Sequence, residues 1–475
     1  MAKLTSRNPA NGDELGTVTL STKADVLLAV TAARKAFPDW ANTPLPKRIL
    51  VISKLAGLLK KNQDKLAKLI TLEMGKPLVE AKDEIATFSL PFLKDLAKNA
   101  PRWLADEVLH TAKNGKEVSL IRHTPIGVVG VIKPWNFPVD TALWAIAPAL
   151  LTGNTVVFKP SESVPLTSKL LAELIWQAGV PKDVFQILYG RAQVGEILTD
   201  SHLNMIAFTG SNAVGSLIAK KCADKLIKCV LEMGGSSPAL VARDADLDFA
   251  AKAIVYGRFS NNGQACDSIK RVFVESRVAS KLSNRIVKLV KALRVGNPLE
   301  KGVDLGPLVN QKQLETFEVQ VTQGVIQGGR IIAGGRRLRE GDYAKGWFHE
   351  PTVMIHVHSK MNIMQEEVFG PLLPICEVEN FNAAVRQANQ SHFGLTAAVF
   401  TKSLTTWQQA EKGLQAGSVF LNESVYMTPS SPWSTVKQSG LGVERGKYGL
   451  WEYTVKKHVY LNRAGTKDRS NWFPY

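Results

Sequence analysis

From about residue 125 onward the chain alternates between two textures, and this alternation restricts its fold more than any other feature. Short apolar runs at 128–132, 155–158 and 205–208 each end in glycine, proline or a polar turn. Stretches with helical spacing, 165–177 and 193–198, lie between them. Short buried runs separated by helix-length segments predict βαβ units and a mainly parallel sheet. After Gly235 the pattern restarts: a helix over 247–260, a strand over 271–275, a helix over 279–293, and later strands near Ile331 and over 397–400. A second α/β unit is therefore expected. The 475 residues suggest roughly three folding units at about 150 residues each.

Two segments depart from the alternation. The first ninety residues read as amphipathic helices, with Thr22 and Asp25 spaced as a capping box ahead of Val26, Leu27, Val30 and Ala33. Leu55, Leu58 and Leu59 mark a second helix, and Leu66, Leu69 and Ile70 a third that Gly75 and Pro77 stop. Residues 107–123 read instead as two short strands around Asn114–Gly115, a hairpin-turn pair. A lone hairpin is marginal in water, so it needs a partner. The run 454–462 has strand character and is the candidate, within the chain or across a subunit interface.

Composition removes several function classes. With 45% hydrophobic and 21% charged residues, most of the chain is expected to be ordered. The longest apolar stretch, 142–151, contains Pro148 and falls well short of the ~20 residues that span a bilayer. The first fifteen residues carry no apolar secretion signal. Four cysteines (Cys222, Cys229, Cys266, Cys376) without a C-x-x-C pair argue against a disulfide scaffold or a zinc site, and a cytoplasmic, reducing location fits them. Cys222 and Cys229 read as structural thiols in a lysine-rich helical stretch. His356 and His358 have no third ligand nearby, so no metal is expected. The net charge is 59 − 42 = +17, but it is spread along the chain. That suits a basic surface attracting anionic metabolites better than a nucleic-acid site.

The residues that carry chemistry are few. Cys266 follows Ser-Asn-Asn-Gly-Gln-Ala, Glu232 sits 34 residues earlier beside Gly234 and Gly235, and Asn136 is held between Pro134 and Pro138 among aromatics. A thiol nucleophile, a carboxylate base and an amide donor are the three roles acyl transfer requires.

Seven motifs in order make the chain resemble the NAD(P)-dependent aldehyde dehydrogenase superfamily over nearly its whole length. They are Pro134-Trp-Asn-Phe-Pro138, Lys159-Pro-Ser-Glu162, Phe208-Thr-Gly-Ser211, Leu231-Glu-Met-Gly-Gly235, Gly263-Gln-Ala-Cys266, Glu366-Glu-Val-Phe-Gly-Pro371 and Lys437-Gln-Ser-Gly440. The resemblance implies an α/β fold with a Rossmann-type cofactor domain, an α/β catalytic domain and a β-hairpin oligomerisation extension. The division it suggests is 1–106 and 127–234 for the cofactor, with 437–453 returning to that unit, 235–436 for catalysis, and 107–126 with 454–475 for assembly as a homodimer or homotetramer. It implies that Cys266 attacks the aldehyde, that the Asn136 amide and the Cys266 N–H hold the oxyanion, and that Glu232 activates the hydrolytic water. For NAD it implies Trp135, Lys159, Ser161, Glu162, Thr209, Gly210, Ser211, Gly234, Glu367 and Phe369. A carboxylate at Glu162 accepts hydrogen bonds from ribose hydroxyls and repels a 2′-phosphate, so NAD is expected over NADP.

Substrate choice is open to a narrower reading. Relatives that use succinate semialdehyde resemble one another in carrying arginines where this chain has Trp144 and Ser260. Phe137, Trp144, Met427 and Trp433 are instead expected to line an apolar, aromatic tunnel for aromatic or medium-chain aliphatic aldehydes. Betaine aldehyde or an aminoaldehyde is the alternative, held by cation–π attraction with help from Asp267. If Asp267 turns toward the thiol it raises the thiol pKa; if it turns away it is neutral for catalysis. The competing function class is a catalytically idle binding protein on the same fold. The apolar end, Trp472 to Tyr475, is expected to dock on a neighbouring subunit.

Overall fold

The structure is a computed structural model describing residues 2–113 and 115–463. Asn114 of the hairpin turn and the terminal 472–475 segment lie outside the described residues. The first ninety residues are not all helical: Lys3–Arg7 and Glu14–Thr19 pair as an antiparallel two-stranded sheet, and helices α1 (Lys23–Ala41), α2 (Leu45–Lys61) and α3 (Gln63–Met74) follow them as the spacing predicts. The capping box of α1 is made: the Thr22 hydroxyl accepts from the Asp25 N–H, and the Asp25 carboxylate accepts from the Thr22 N–H at 2.7 Å. α3 stops where Gly75 turns left-handed at φ 86°, and a side chain there would strike Pro307.

Two strands follow, β1 (Glu107–Thr111) and β2 (Glu117–Pro125). The first parallel sheet then builds from β3 (Val128–Lys133), α4 (Asp140–Leu151), β4 (Thr155–Pro160), α5 (Pro165–Gln177) and β5 (Phe185–Ile187). It continues through α6 (Ala192–Asp200), β6 (Met205–Thr209), α7 (Asn212–Asp224) and β7 (Lys228–Glu232). These strands lie in the order β7-β6-β3-β4-β5. After β5 the chain crosses back to the far side of β3, so winding reverses between β3 and β6. In such sheets the crevice for a ligand opens beyond the carboxyl ends of the strands at that point. The apolar run at 142–151 is the buried α4, packed on β3 and β4. No described helix is long and apolar enough to cross a membrane.

The second sheet contains β8 (Ser237–Val241), β9 (Ile269–Glu275), β10 (Arg330–Ala333), β11 (Thr352–Ile355), β12 (Leu372–Val378), β13 (Thr396–Phe400) and β14 (Ser418–Leu421). Helices α8 (Leu247–Phe259) and α9 (Ser276–Ala292) pack together beside it. The order is β10-β11-β12-β9-β8-β13-β14, parallel apart from the β10–β11 pair. Two late strands reach back to earlier sheets. β15 (Gly440–Leu441) pairs antiparallel with β7, and β16 (Thr454–Asn462) pairs antiparallel with β2 along nine residues. The hairpin's partner therefore comes from the chain itself, while β1 stays exposed along its length at the outer edge.

One smaller expectation is corrected. Cys229 lies on β7 rather than on a helix, and it has a partner: the Cys222 thiol of α7, whose hydrogen bond lowers the Cys229 pKa to about 7. His356 and His358 lie past the end of β11, both exposed to solvent.

Candidate active site

The site grows from two loops that the sequence forces into contact. Beyond α8 the chain needs a sharp reversal, and three consecutive residues, Asn261, Asn262 and Gly263, turn left-handed at φ 51°, 55° and 71°. Asparagine and glycine tolerate that region better than other residues. The reversal is pinned by buried amides. Asn261 Nδ2 donates to the Asn136 carbonyl at 3.2 Å and to the Gln264 carbonyl at 3.1 Å, and Asn262 Nδ2 donates to the Gly306 carbonyl at 2.9 Å. The proline-bounded segment after β3 then faces Cys266, and Asn136 Nδ2 donates to the same Gln264 carbonyl at 3.1 Å.

The glycine pair after Glu232 serves two separate approaches. A Cβ on Gly234 would collide with the Glu367 carboxylate, and one on Gly235 would lie 2.5 Å from the Cys266 carbonyl oxygen. The Gly235 N–H donates to Glu367 Oε1 at 3.1 Å, and Lys270 Nζ sits 3.2 Å from the same oxygen. Lys270 also donates to the Ala265 and Cys266 carbonyls at 2.7 Å each, which fixes the strand of chain carrying the thiol.

A cavity of about 370 Å³ runs past these groups. Its wall includes Asn136, Cys266, Asp267, Trp135, Phe137, Trp144, Met427 and Trp433. Thr209, Gly210, Ser211, Gly234, Glu367 and Phe369 form part of the same wall. Trp135 meets Phe369 edge to face at 5.6 Å. Lys159, Ser161 and Glu162 lie outside it, at and just beyond the end of β4, where Lys159 Nζ is 3.7 Å from Glu162. Glu232 also stands behind the wall rather than on it.

Electrostatics separate the two expected catalytic groups. Burial and the neighbouring Asp267 charge push the Cys266 thiol well above its ordinary pKa, with Lys270 opposing. Asp267 lines the same cavity as the thiol. Burial and the Glu444 charge likewise raise Glu232, with the Lys133 charge and the Trp433 indole opposing. The Cys266 N–H is unclaimed among the described residues, and the Asn136 amide beside it has a second N–H to give. An Asp267→Asn variant should lower the thiol pKa, because a like charge is removed. The pH dependence of iodoacetamide alkylation without cofactor measures this; an unshifted midpoint would contradict it.

The structure adds residues that spacing alone did not reveal. Lys133, at the end of β3, donates to Thr209 Oγ1 at 2.8 Å and pairs with Glu444 at 2.5 Å in a buried ion pair spanning 311 positions. A lysine closing an otherwise apolar strand was its one local signal. Arg445 stacks its guanidinium 5.1 Å over Trp144, and Trp433 leans on the same indole at 5.7 Å, so Trp144 is not open on both faces.

The crevice can be tested for a dinucleotide on its own features. It lies at the winding reversal, and helix α7 starts there at Ser211 without a side-chain cap, leaving first-turn N–H groups for an anion. The Gly234 opening is where a side chain would close the wall. These features fit a bound dinucleotide.

Comparison with known proteins agrees. The aldehyde dehydrogenase family profile matches residues 2–459. The betaine aldehyde dehydrogenase of Bacillus subtilis (strain 168) is 35% identical over 474 residues, covering 98% of this chain and 95% of that protein. The mitochondrial succinate-semialdehyde dehydrogenase of Oryza sativa subsp. japonica is 36% identical, covering 96% of this chain and 85% of that one. Among solved structures, the betaine aldehyde dehydrogenase of Staphylococcus aureus in complex with NAD+ superimposes with a TM-score of 0.95 at 32% identity, covering 100% of this chain and 94% of that one. With two parallel sheets, a thiol and an amide on one cavity wall and a full-length match, the chain belongs to the aldehyde dehydrogenase family.

Proposed function

We propose that the protein oxidises an aldehyde to a carboxylic acid with NAD, through a thioester on Cys266 that Glu232 helps to hydrolyse. One observation carries this reading: the Cys266 thiol, its unclaimed N–H and the Asn136 amide share one cavity wall with the glycine opening and the start of α7. The Cys266 thiol gives its proton to solvent water and adds as the thiolate to the aldehyde carbon, giving a thiohemiacetal whose oxyanion takes hydrogen bonds from Asn136 Nδ2 and the Cys266 N–H. NAD, when bound, supplies the acceptor for the hydride that leaves this carbon. The thioester that remains is attacked by water, from which Glu232 removes a proton, and the thiol departs with the acid as product. Because Glu232 rests behind the wall, its side chain rotates toward Cys266 for that step.

Glu367, Phe369, Trp135 and Gly234 would border the nicotinamide end, and Thr209, Gly210 and Ser211 the pyrophosphate. Lys159, Ser161 and Glu162 would hold the adenine ribose beyond β4. The first sheet and the helices before it form the cofactor unit, the second sheet carries the nucleophile, and the exposed edge of β1 joins copies into a homodimer or homotetramer. The free thiols suit a cytoplasmic location. Phe137, Trp144, Met427 and Trp433 give the substrate an apolar corridor, as aromatic or medium-chain aldehydes require. NADH formation with benzaldehyde and hexanal tests the reading. NAD should exceed NADP by about tenfold in kcat/KM, from Glu162 repulsion of a 2′-phosphate. Equal use of both cofactors would remove Glu162 from that role, and no turnover of any aldehyde would overturn the function.

A further inference from the structure

Behind the wall that presents Asn136 lies an ion pair shut off from solvent. Lys76 Nζ stands 2.6 Å from Glu84 Oε2, and both side chains are 0% exposed. Taking two charges out of water is costly, and packed apolar residues of similar volume would hold the fold as well. Stability is therefore a poor account of this pair. Its other contacts supply a better one.

Both partners reach the same stretch of chain, residues 137–140. The second oxygen of Glu84, Oε1, accepts from the Val139 N–H at 2.9 Å and from the Asp140 N–H at 3.1 Å. The residue before α4 is a valine, which cannot cap a helix, so a carboxylate from another helix takes these donors. Lys76 Nζ lies 3.6 Å from the centre of the Phe137 ring. Ser89 Oγ is within hydrogen-bond reach of the Glu84 carbonyl, at 2.9 Å, and of Asp140 Oδ1, at 3.0 Å. Glu84 and Ser89 bound a π-helical turn, a form often found at functional places in helices. Asn136 comes just before the gripped stretch, and Asn261 Nδ2 holds its carbonyl from the other side at 3.2 Å. Neither Lys76 nor Glu84 is part of the cavity wall. Any influence they have on the chemistry passes through residues 136–140.

We infer, building on the aldehyde-oxidising reading above, that Lys76 and Glu84 are positioning residues for the oxyanion donor. Glu84 caps α4 and Lys76 seats Phe137, so that Asn136 Nδ2 waits at hydrogen-bond distance from the oxyanion. An ionised carboxylate suits this task because it accepts two N–H groups at a helix start and complements the dipole there. The ammonium neutralises that carboxylate without water and adds a contact on the ring face. An oxyanion donor is effective only when it is in place before charge develops. A small displacement of Asn136 therefore lowers the rate without weakening cofactor binding.

The test is a double-mutant cycle on single-turnover NADH formation, with enzyme in excess of hexanal, so that thioester hydrolysis is not read. Asn136→Ala should slow this step about 10²-fold, as loss of an oxyanion donor does. Glu84→Gln should slow it about tenfold, with NAD affinity in a fluorescence titration unchanged. The two together should be no more than about twofold slower than Asn136→Ala alone, because Glu84 then has nothing to position. A general support of the fold would cost the same factor in both backgrounds. A double variant about tenfold slower than Asn136→Ala therefore overturns the positioning role, as does a wild-type rate in Glu84→Gln. If the lone buried Lys76 charge unfolds Glu84→Gln, the pair Lys76→Met with Glu84→Gln removes both charges. Folded by circular dichroism, it should show the same tenfold loss and the same coupling to Asn136, and additive costs there overturn the role equally. An Asn136→Ala rate equal to wild type would overturn the oxyanion assignment itself, and absence of NADH with every aldehyde would overturn the reaction.

Discussion

A Cys266→Ala variant is expected to lose aldehyde oxidation by at least about 10⁴-fold in kcat, with its fold and its NAD affinity intact. The size follows from the chemistry. Without the sulfur there is no thiohemiacetal, and Asn136 with the Cys266 N–H would have no oxyanion to hold. The structural cost is small, because the thiol lies on a cavity wall and its removal leaves the amide bonds of Asn261, Asn262 and Lys270 in place. Steady-state NADH formation, circular dichroism and a fluorescence titration with NAD measure the three properties separately. The other cysteines supply a control. Cys222 and Cys376 are buried, and Cys229 carries the lowered pKa, so a thiol reagent acting on the wild type could mark Cys229 without consequence. Turnover in Cys266→Ala within about tenfold of wild type would place the nucleophile elsewhere.

What could be read from the sequence, and what could not, divides along sequence separation. The capping box of α1 and the left-handed stop at Gly75 are decided by residues a few positions apart, and each was legible, whereas 142–151 read only as an apolar stretch and not as the buried helix α4. Cys266, Glu232 and Asn136 stood out because each sits in a short segment of unusual composition, and the fold sets Cys266 and Asn136 on one cavity wall with Glu232 behind it. The hairpin and its candidate partner at 454–462 were both visible, but that β16 returns within the chain across more than three hundred residues, rather than from another subunit, was not. The same distance hides the Lys133–Glu444 pair, and Asn154, which donates to the Tyr453 carbonyl across 299 positions. Asp267 shows the intermediate case. Its place beside Cys266 posed the question, and the fold sets both residues on the lining of one cavity.

A Glu232→Gln variant should separate the two halves of the reaction. Glu232 is 3% exposed, and the Glu444 charge stands beside it. Lys133 opposes the resulting shift but is bound to Glu444 at 2.5 Å and to Thr209 at 2.8 Å. Burial and like charge together hold the Glu232 pKa far above the usual carboxylate range, which is what a base working near neutrality needs. Glutamine keeps the shape and removes the base. The first turnover should therefore survive as a burst of NADH matching the number of subunits, followed by a steady state about 10²–10³-fold slower than wild type. Intact-protein mass spectrometry should then find the acyl group on Cys266. The pH profile gives an independent reading. In the wild type, hydrolysis rises with pH as Glu232 loses its proton, and the midpoint lies above the ordinary carboxylate range; below it the base is protonated and inactive. The variant should lack that limb. An unchanged steady state would assign the water to another base, and loss of the burst together with the steady state would move Glu232 to the step before hydride transfer. A burst with slow release, on the flattened profile, ties the raised pKa of a buried carboxylate to one step of the reaction.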